Sequence, residues 1–483
     1  MIRRLLAHLF LAWALLAQGL APVHADNITL PDLGDASATV ISPSQERRLG
    51  EDFMRRARQS LAFVDDPELN DYMQALGQRL LANADTSYRQ FRFFMVNDSA
   101  INAFAVPGGF VGINKGLLLA TQTEAELASV LAHEITHVTQ KHIPRLIAES
   151  QRTTLPAFAA ILASILLANA GHGAGAEAGI AATTATLAQQ GINFTRQFEE
   201  EADRLGMTIL AGAGFDPQGM PAFFERLQTL NRHNETNLPE FLRTHPVTAN
   251  RIADARNRAE RLPARGRRDS EDYLHVHAKL RAGTSANNIE NVHGFRDNLR
   301  QGKYRDQYAE RYGYALALLR ERDYAAARAE TAKLIAHRPN RVYYRVLQAE
   351  IEMGAGQTAR ALSIYAQAHK GAPSHPGLLR HYAQALLKAG EPRRAFELLR
   401  TAVREVPDDP ALYRLLAQAA GSANPLEAHK AMAEHYYLNG NPKAATEQLQ
   451  IALRHAGDNF YQVSSIEARL NAIREEIALF QQN

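Results

Sequence analysis

The chain has 483 residues, too many for one ordinary hydrophobic core and enough for two or three domains. A formal net charge of +3 leaves no electrostatic footprint for nucleic acid. The complete lack of cysteine excludes disulfides, thiolate metal sites and cysteine nucleophiles, so any metal must be held by His, Asp or Glu.

Residues 1–25 read as a signal peptide. Arg3 and Arg4 precede an apolar run over 5–20, and Val23-His24-Ala25 resembles a small-residue cleavage site, which predicts export and cleavage near Ala25. The run is short for a membrane span, and no Cys follows it to carry a lipid. After a polar lead-in, residues 45–61 and 67–82 space their apolar positions by three and four, the helical period. Strand formers then take over at 91–96, 103–106 and 110–113. Pro107-Gly108-Gly109 marks a turn, which predicts a small antiparallel sheet or hairpin. Helix resumes from Thr121 or Thr123 to about Lys141. The apolar stretch 155–170, followed by a Gly-rich tail at 171–175, is too short to span a bilayer and reads as a buried or lid-forming helix. Further helices are expected at about 183–210 and 223–230, and residues 262–270 read as a boundary.

Beyond Lys303 the chain repeats itself. Pro339, Pro373 and Pro407 are spaced by 34; so are Ala327, Ala361 and Ala395, and so are Ala315, Ala349, Ala383 and Ala417. That is the period of the tetratricopeptide (TPR) helical hairpin, with small residues where its two helices touch. Ala433, Ala445 and Ala452 resume the pattern after a slip, and a final helix at about 461–479 would cap the stack. The chain therefore divides into a signal peptide (1–25), a catalytic domain (26–265), a linker with a connecting helix (266–302) and a TPR domain (303–483). The fold class is mainly α: a domain with a small β-sheet followed by an α-solenoid of TPR-like hairpins.

His133-Glu134-Ile135-Thr136-His137 is an H-E-x-x-H motif inside a helix. Residues four apart lie about 40° apart around a helix, so His133 and His137 can face one Zn2+ ion, with Glu134 placed to act on a water at the open position. His142 lies five residues beyond His137, about 140° around a continuous helix, and is expected at the surface rather than on the metal. The third ligand is expected downstream. Glu199 and Asp203 share a helix face, which fits Glu199 as ligand and Asp203 as the partner fixing a histidine tautomer; Glu201 competes for the ligand role.

The segments Asn102-Ala103-Phe104-Ala105-Val106-Pro107-Gly108-Gly109, His133–His137 and Glu199-Glu200-Glu201-Ala202-Asp203 resemble the CaaX-prenyl-protease/HtpX/Oma-like gluzincin peptidases. The resemblance implies one Zn2+ per chain on His133, His137 and Glu199, catalysis by Glu134, and Asp203 behind the ligands. Thr244-His245-Pro246 matches a further motif of the family, in which the His covers the metal at rest, and Arg251 follows as a candidate oxyanion contact. The resemblance also implies that 110–113 is an edge strand on which an extended substrate pairs. Combined with the TPR array, it implies a Gram-negative periplasmic endopeptidase of outer-membrane quality control. Its partners would be unfolded or misassembled outer-membrane proteins, the barrel-assembly machinery and the lipopolysaccharide-transport barrel, with no nucleic acid and room for peripheral membrane association. The competing reading is a chaperone or scaffold for outer-membrane assembly whose peptidase site is latent.

Overall fold

A computed structural model describes residues 42–86, 91–149, 196–233, 239–263, 268–285 and 287–481. The expected signal peptide at 1–25 and the apolar 155–175 segment lie outside the described residues. No described helix is long and apolar enough to cross a membrane.

Helix α1 (Pro43–Ser60) starts at a capping box in which Ser42 and Gln45 exchange hydrogen bonds, and α2 (Pro67–Leu81) starts at Asp66, whose carboxylate accepts from the amides of Glu68 and Leu69. Three strands follow: β1 (Arg92–Val96), β2 (Ala103–Val106) and β3 (Phe110–Asn114). The sheet order is β1-β3-β2, with β1 and β3 parallel and β2 and β3 an antiparallel hairpin. The sheet is thus mixed rather than wholly antiparallel, and β3 is its central strand. The expected edge position of 110–113 is therefore corrected: among the described residues the outer strands are β1 and β2. The sequence showed the hairpin turn, but β1–β3 pairing is long-range and leaves no local signal.

After the short α3 (Lys115–Ala120), helix α4 (Glu124–Thr139) carries the H-E-x-x-H motif. Thr123 caps it by accepting from Glu126 N at 3.1 Å, and Glu124 and Glu126 place negative charge in its first turn. Residues 124–138 are all buried, so α4 runs through the middle of its domain. Leu127, Leu131 and Ile135 share a core with Met73 and Leu76 of α2, Val111 and Ile113 of β3, and Phe223 and Leu227. Around α4 lie α5 (His142–Glu149), α6 (Arg196–Gly212), α7 (Gly219–His233), the single turn α8 (Glu240–Thr244) and α9 (Ala249–Arg261).

Helix α10 (Glu271–Arg281) joins the two halves: Tyr273 and Val276 belong to the catalytic-domain core, Ala278 to the first core of the solenoid. Helix α11 (Asn288–Gln301) precedes three regular hairpins: α12/α13 (Gln307–Arg320, Tyr324–His337), α14/α15 (Val342–Gly354, Thr358–Gly371) and α16/α17 (Pro376–Lys388, Pro392–Glu405). The periodic residues Ala315, Ala349, Ala383, Ala327, Ala361 and Ala395 are all wholly buried, where a larger side chain would force the paired helices apart. The slip in register is structural. Helix α18 (Pro410–Ala420) carries Ala417 but leads through a 3-10 turn at Gly421–Ala423 straight to the last hairpin, α19/α20 (Pro425–Leu438, Pro442–His455). Helix α21 (Phe460–Gln481) closes the stack with Ile466, Leu470 and Ile473 against Leu449 and Ala452.

Candidate active site

Three elements, α6, α8 and α9, converge on the H-E-x-x-H turn of α4. Helix α6 crosses closely because Gly206 meets the backbone of Ala132 and His133; a Cβ there would lie 3.1–3.2 Å from those atoms. This approach presents Glu199 and Asp203, both buried, to the two histidines. The short α8 is held by Phe241 N donating to Ile101 O at 3.0 Å, and it ends at His245, where the following Pro246 cannot continue the helix. Helix α9, capped by Thr248, delivers Arg251 from its first turn.

One ligand atom from each of His133, His137, Glu199 and His245 falls within 4.8 Å of the others, and all four residues are buried. His133 Nε2 lies 2.9 Å from His137 Nε2, 3.3 Å from His245 Nδ1 and 3.5 Å from Glu199 Oε2. Glu199 Oε1 is 2.9 Å from His245 Nδ1 and 3.5 Å from His137 Nε2. Glu134 is buried beside them. Its Oε1 has no hydrogen-bond partner among the described residues, with His245 Nε2 3.5 Å away. Imidazole nitrogens and carboxylate oxygens crowded this closely in a buried site need positive charge shared among them, from a proton or a bound cation, so this donor set fits a divalent metal.

His133 Nδ1 donates to Asp203 Oδ1 at 3.0 Å, which leaves its Nε2 facing the cluster. Arg251 grips Asp203 through Nε at 2.7 Å and Nη2 at 2.8 Å, while Nη1 donates to Pro246 O at 2.8 Å and lies 2.9 Å from Glu199 Oε2. Its guanidinium is therefore a clamp on the two carboxylates of α6, not a group free to meet a substrate oxyanion. His142 also departs from expectation. It is completely buried, its Nδ1 2.8 Å from His137 Nδ1 and its Nε2 3.3 Å from Glu201 Oε2. The helix does not run on to it: α4 stops at Thr139, Lys141 takes a left-handed φ of 52°, and α5 starts in a new direction. Glu201, the competing ligand, instead pairs with His142 and with Arg145 Nη1 at 2.9 Å.

The charges follow these contacts. Burial opposes a charged His133, yet its hydrogen bonds to Asp203 and Glu199 outweigh burial and push it up to about 10. Burial, reinforced by charged His133, holds His137 well below the usual histidine range, and burial brings His142 down to about 4 against the pull of Glu201. Burial raises Glu134, with His245 and His133 opposing. Burial likewise works to raise Glu199, but His245, His133 and Arg251 together hold its carboxyl well below the carboxylate range.

A family model for Peptidase family M48 matches residues 67–259, and one for the tetratricopeptide repeat matches residues 352–419. The beta-barrel assembly-enhancing protease of Yersinia pestis is 37% identical over 392 residues, 80% of this chain and 80% of that protein. Its namesake in Escherichia coli (strain K12) is 37% identical over 76% of this chain and 75% of its own length. The mitochondrial metalloendopeptidase OMA1 of Schizosaccharomyces pombe is 29% identical over 42% of this chain and 56% of that protein.

Proposed function

Because this chain belongs to the beta-barrel assembly-enhancing protease family of M48 metallopeptidases, we propose that it is a periplasmic zinc endopeptidase that degrades misfolded or stalled outer-membrane proteins and assists their assembly. The observation that carries the chemistry is the buried convergence of His133, His137 and Glu199, with the Glu134 carboxylate beside them. Zinc held by His133, His137 and Glu199 would supply Lewis-acid polarisation of a scissile carbonyl and acidify a water at the fourth position. Glu134, its carboxyl raised by burial, takes the proton of the attacking water and returns it to the leaving amine. Asp203 and Arg251 hold His133 and Glu199 in place.

With zinc on His133, His137 and Glu199, His245 would take the position that a catalytic zinc site keeps open, since its ring lies within reach of Glu199 and Glu134. In this arrangement the site is at rest, and withdrawal of His245 with the α8–α9 loop admits water and substrate. An extended substrate adds to the sheet at β2, the edge strand beside α4, rather than at β3. The TPR solenoid offers the surface for outer-membrane proteins, the barrel-assembly machinery and the lipopolysaccharide-transport barrel.

The test is zinc content and casein cleavage by the chain lacking residues 1–25. About one zinc per chain is expected in the wild type. Glu134→Gln should keep the zinc and lose activity by about a hundredfold or more, whereas His245→Ala should cleave faster than wild type. Normal cleavage by Glu134→Gln would refute the mechanism. Assembly assistance that survives in that variant would point to the solenoid as its source.

A further inference from the structure

We infer that His142 and Glu201 form a positioning relay that fixes the tautomer and ring orientation of His137, as Asp203 does for His133. The inference rests on the zinc reading above and extends it to residues outside the ligand set. His142 heads α5 and stacks flat on Phe198 of α6, ring centroids 4.7 Å apart and planes 14° from parallel. One edge of its ring presents Nδ1 to His137 Nδ1 at 2.8 Å; the other presents Nε2 to Glu201 Oε2 at 3.3 Å.

The proton positions follow from elimination. A carboxylate only accepts, so His142 Nε2 carries a hydrogen; a neutral imidazole carries one, so His142 Nδ1 is an acceptor. His137 Nδ1 must then donate to it, and His137 Nε2 turns an unprotonated lone pair toward His133, Glu199 and His245. The reverse assignment sets a lone pair against the Glu201 carboxylate and drives an N–H into the ligand cluster. Arg145 holds the far end of the relay by donating to the same Glu201 oxygen at 2.9 Å, and its guanidinium lies 4.7 Å over the Phe198 ring.

The backbone is bent to make this contact. A continuous helix would swing residue 142 about 140° away from His137. Lys141, at a φ of 52°, breaks the helix and folds His142 back beside it. A left-handed non-glycine residue is strained and persists where surrounding contacts impose it. Helix α6 thereby serves both histidines: Asp203 reaches His133 directly, and Glu201 reaches His137 through His142.

Zinc affinity, measured by titrating the metal-free chain against a chromophoric chelator, tests the relay without recourse to activity. His142→Phe keeps a ring on Phe198 but removes the acceptor, and is expected to weaken zinc binding about tenfold to a hundredfold. His142→Gln restores an acceptor and a donor, and should recover most of that loss. Glu201→Ala, at a partly solvent-exposed position, should weaken binding severalfold alone and add little to His142→Phe. Equal losses in His142→Phe and His142→Gln, or full additivity with Glu201→Ala, would show a packing role and overturn the relay. Affinity within about twofold of wild type in both His142→Phe and Glu201→Ala would overturn it too. Should His142→Phe not fold, Glu201→Ala decides alone. A wild-type chain that binds no zinc overturns the metal reading and the relay together, an outcome distinct from variants that match a zinc-binding wild type.

Discussion

Glu199 and Asp203 stand one helical turn apart on α6, both nearly inaccessible to water, and Arg251 is ion-paired to both. Removing one partner of a buried ion pair strands the other charges in a low-dielectric interior at a cost of about 3–5 kcal/mol. Arg251→Leu is therefore expected to lower the stability of the metal-free chain by about that much, read as a fall in the urea midpoint. Bound zinc would supply compensating positive charge to Glu199, so the deficit should shrink in the zinc-loaded chain. Equal deficits with and without zinc would mean that Arg251 acts only by packing. At this scale the sequence was most legible where spacing alone places groups: His133, Glu134 and His137 on one turn, Glu199 and Asp203 on another. It was least legible at His142, whose position depends on a single left-handed residue, and at Arg251, which meets its carboxylates only through the turn at Pro246. Thr248, a good helix cap just after a proline, was the signal that could have exposed α9.

The α4–α6 crossing depends on Gly206 as much as on the charged residues. A methyl group at 206 would press on the backbone of His133 and Ala132, which cannot rotate aside as a side chain can. Gly206→Ala must move α6 outward, and with it Glu199 and Asp203. Overpacking of this kind costs about 1–3 kcal/mol. The expected outcome is a loss of stability in that range, with a fall in zinc affinity larger than the same substitution produces at an exposed helical glycine such as Gly294. Unchanged zinc affinity in Gly206→Ala would show that α6 can recede without disturbing its ligands. Helix type and position were largely readable: the cap at Thr123 and the 34-residue alanine registers correspond to α4 and to the buried faces of the hairpins. Strand order was not, because β1 pairs directly with β3 although β2 comes between them in the chain, and pairing between separated segments leaves no period in the chain.

Across the whole molecule, the solenoid meets the N-terminal helices of the catalytic domain at both of its ends. Near its start, Lys279 pairs with Asp66 at 2.8 Å and Glu68 at 3.0 Å, Tyr312 donates to Glu68 at 2.6 Å, and Tyr343 donates to Asp71 at 2.6 Å. Near its end, Gln59 donates to Gly440 O at 2.9 Å, Arg58 donates to Leu438 O, and Arg55 pairs with Glu476. None of this was legible in sequence, since it joins residues hundreds of positions apart.

The junction helix α10 gives this assembly a pH dependence. His275 is buried between the halves; its Nδ1 donates to Glu271 O, and its Nε2 accepts from Tyr344 O–H at 2.6 Å. Burial, with Arg341 beside it, brings His275 down to about 3. The unfolded chain takes up the proton near the ordinary value of about 6.5, and the folded chain refuses it until about 3, so stability is complete above 6.5 and is lost as pH falls toward 3. At pH 5 the loss from this residue alone is roughly 2 kcal/mol. His277, brought down to about 4 by burial and then by Arg281, adds to the wild-type slope. His275→Gln can still donate to Glu271 O and accept from Tyr344, but it does not titrate. The variant is expected to be less stable than wild type at pH 7.5, with its urea midpoint falling more gently between pH 7.5 and 5, while His277 titrates alike in both. Parallel profiles would mean that His275 takes up its proton without breaking the Tyr344 contact. A convergence of the two profiles toward pH 5 would show that the uncharged His275 buried in α10 is a source of the acid sensitivity.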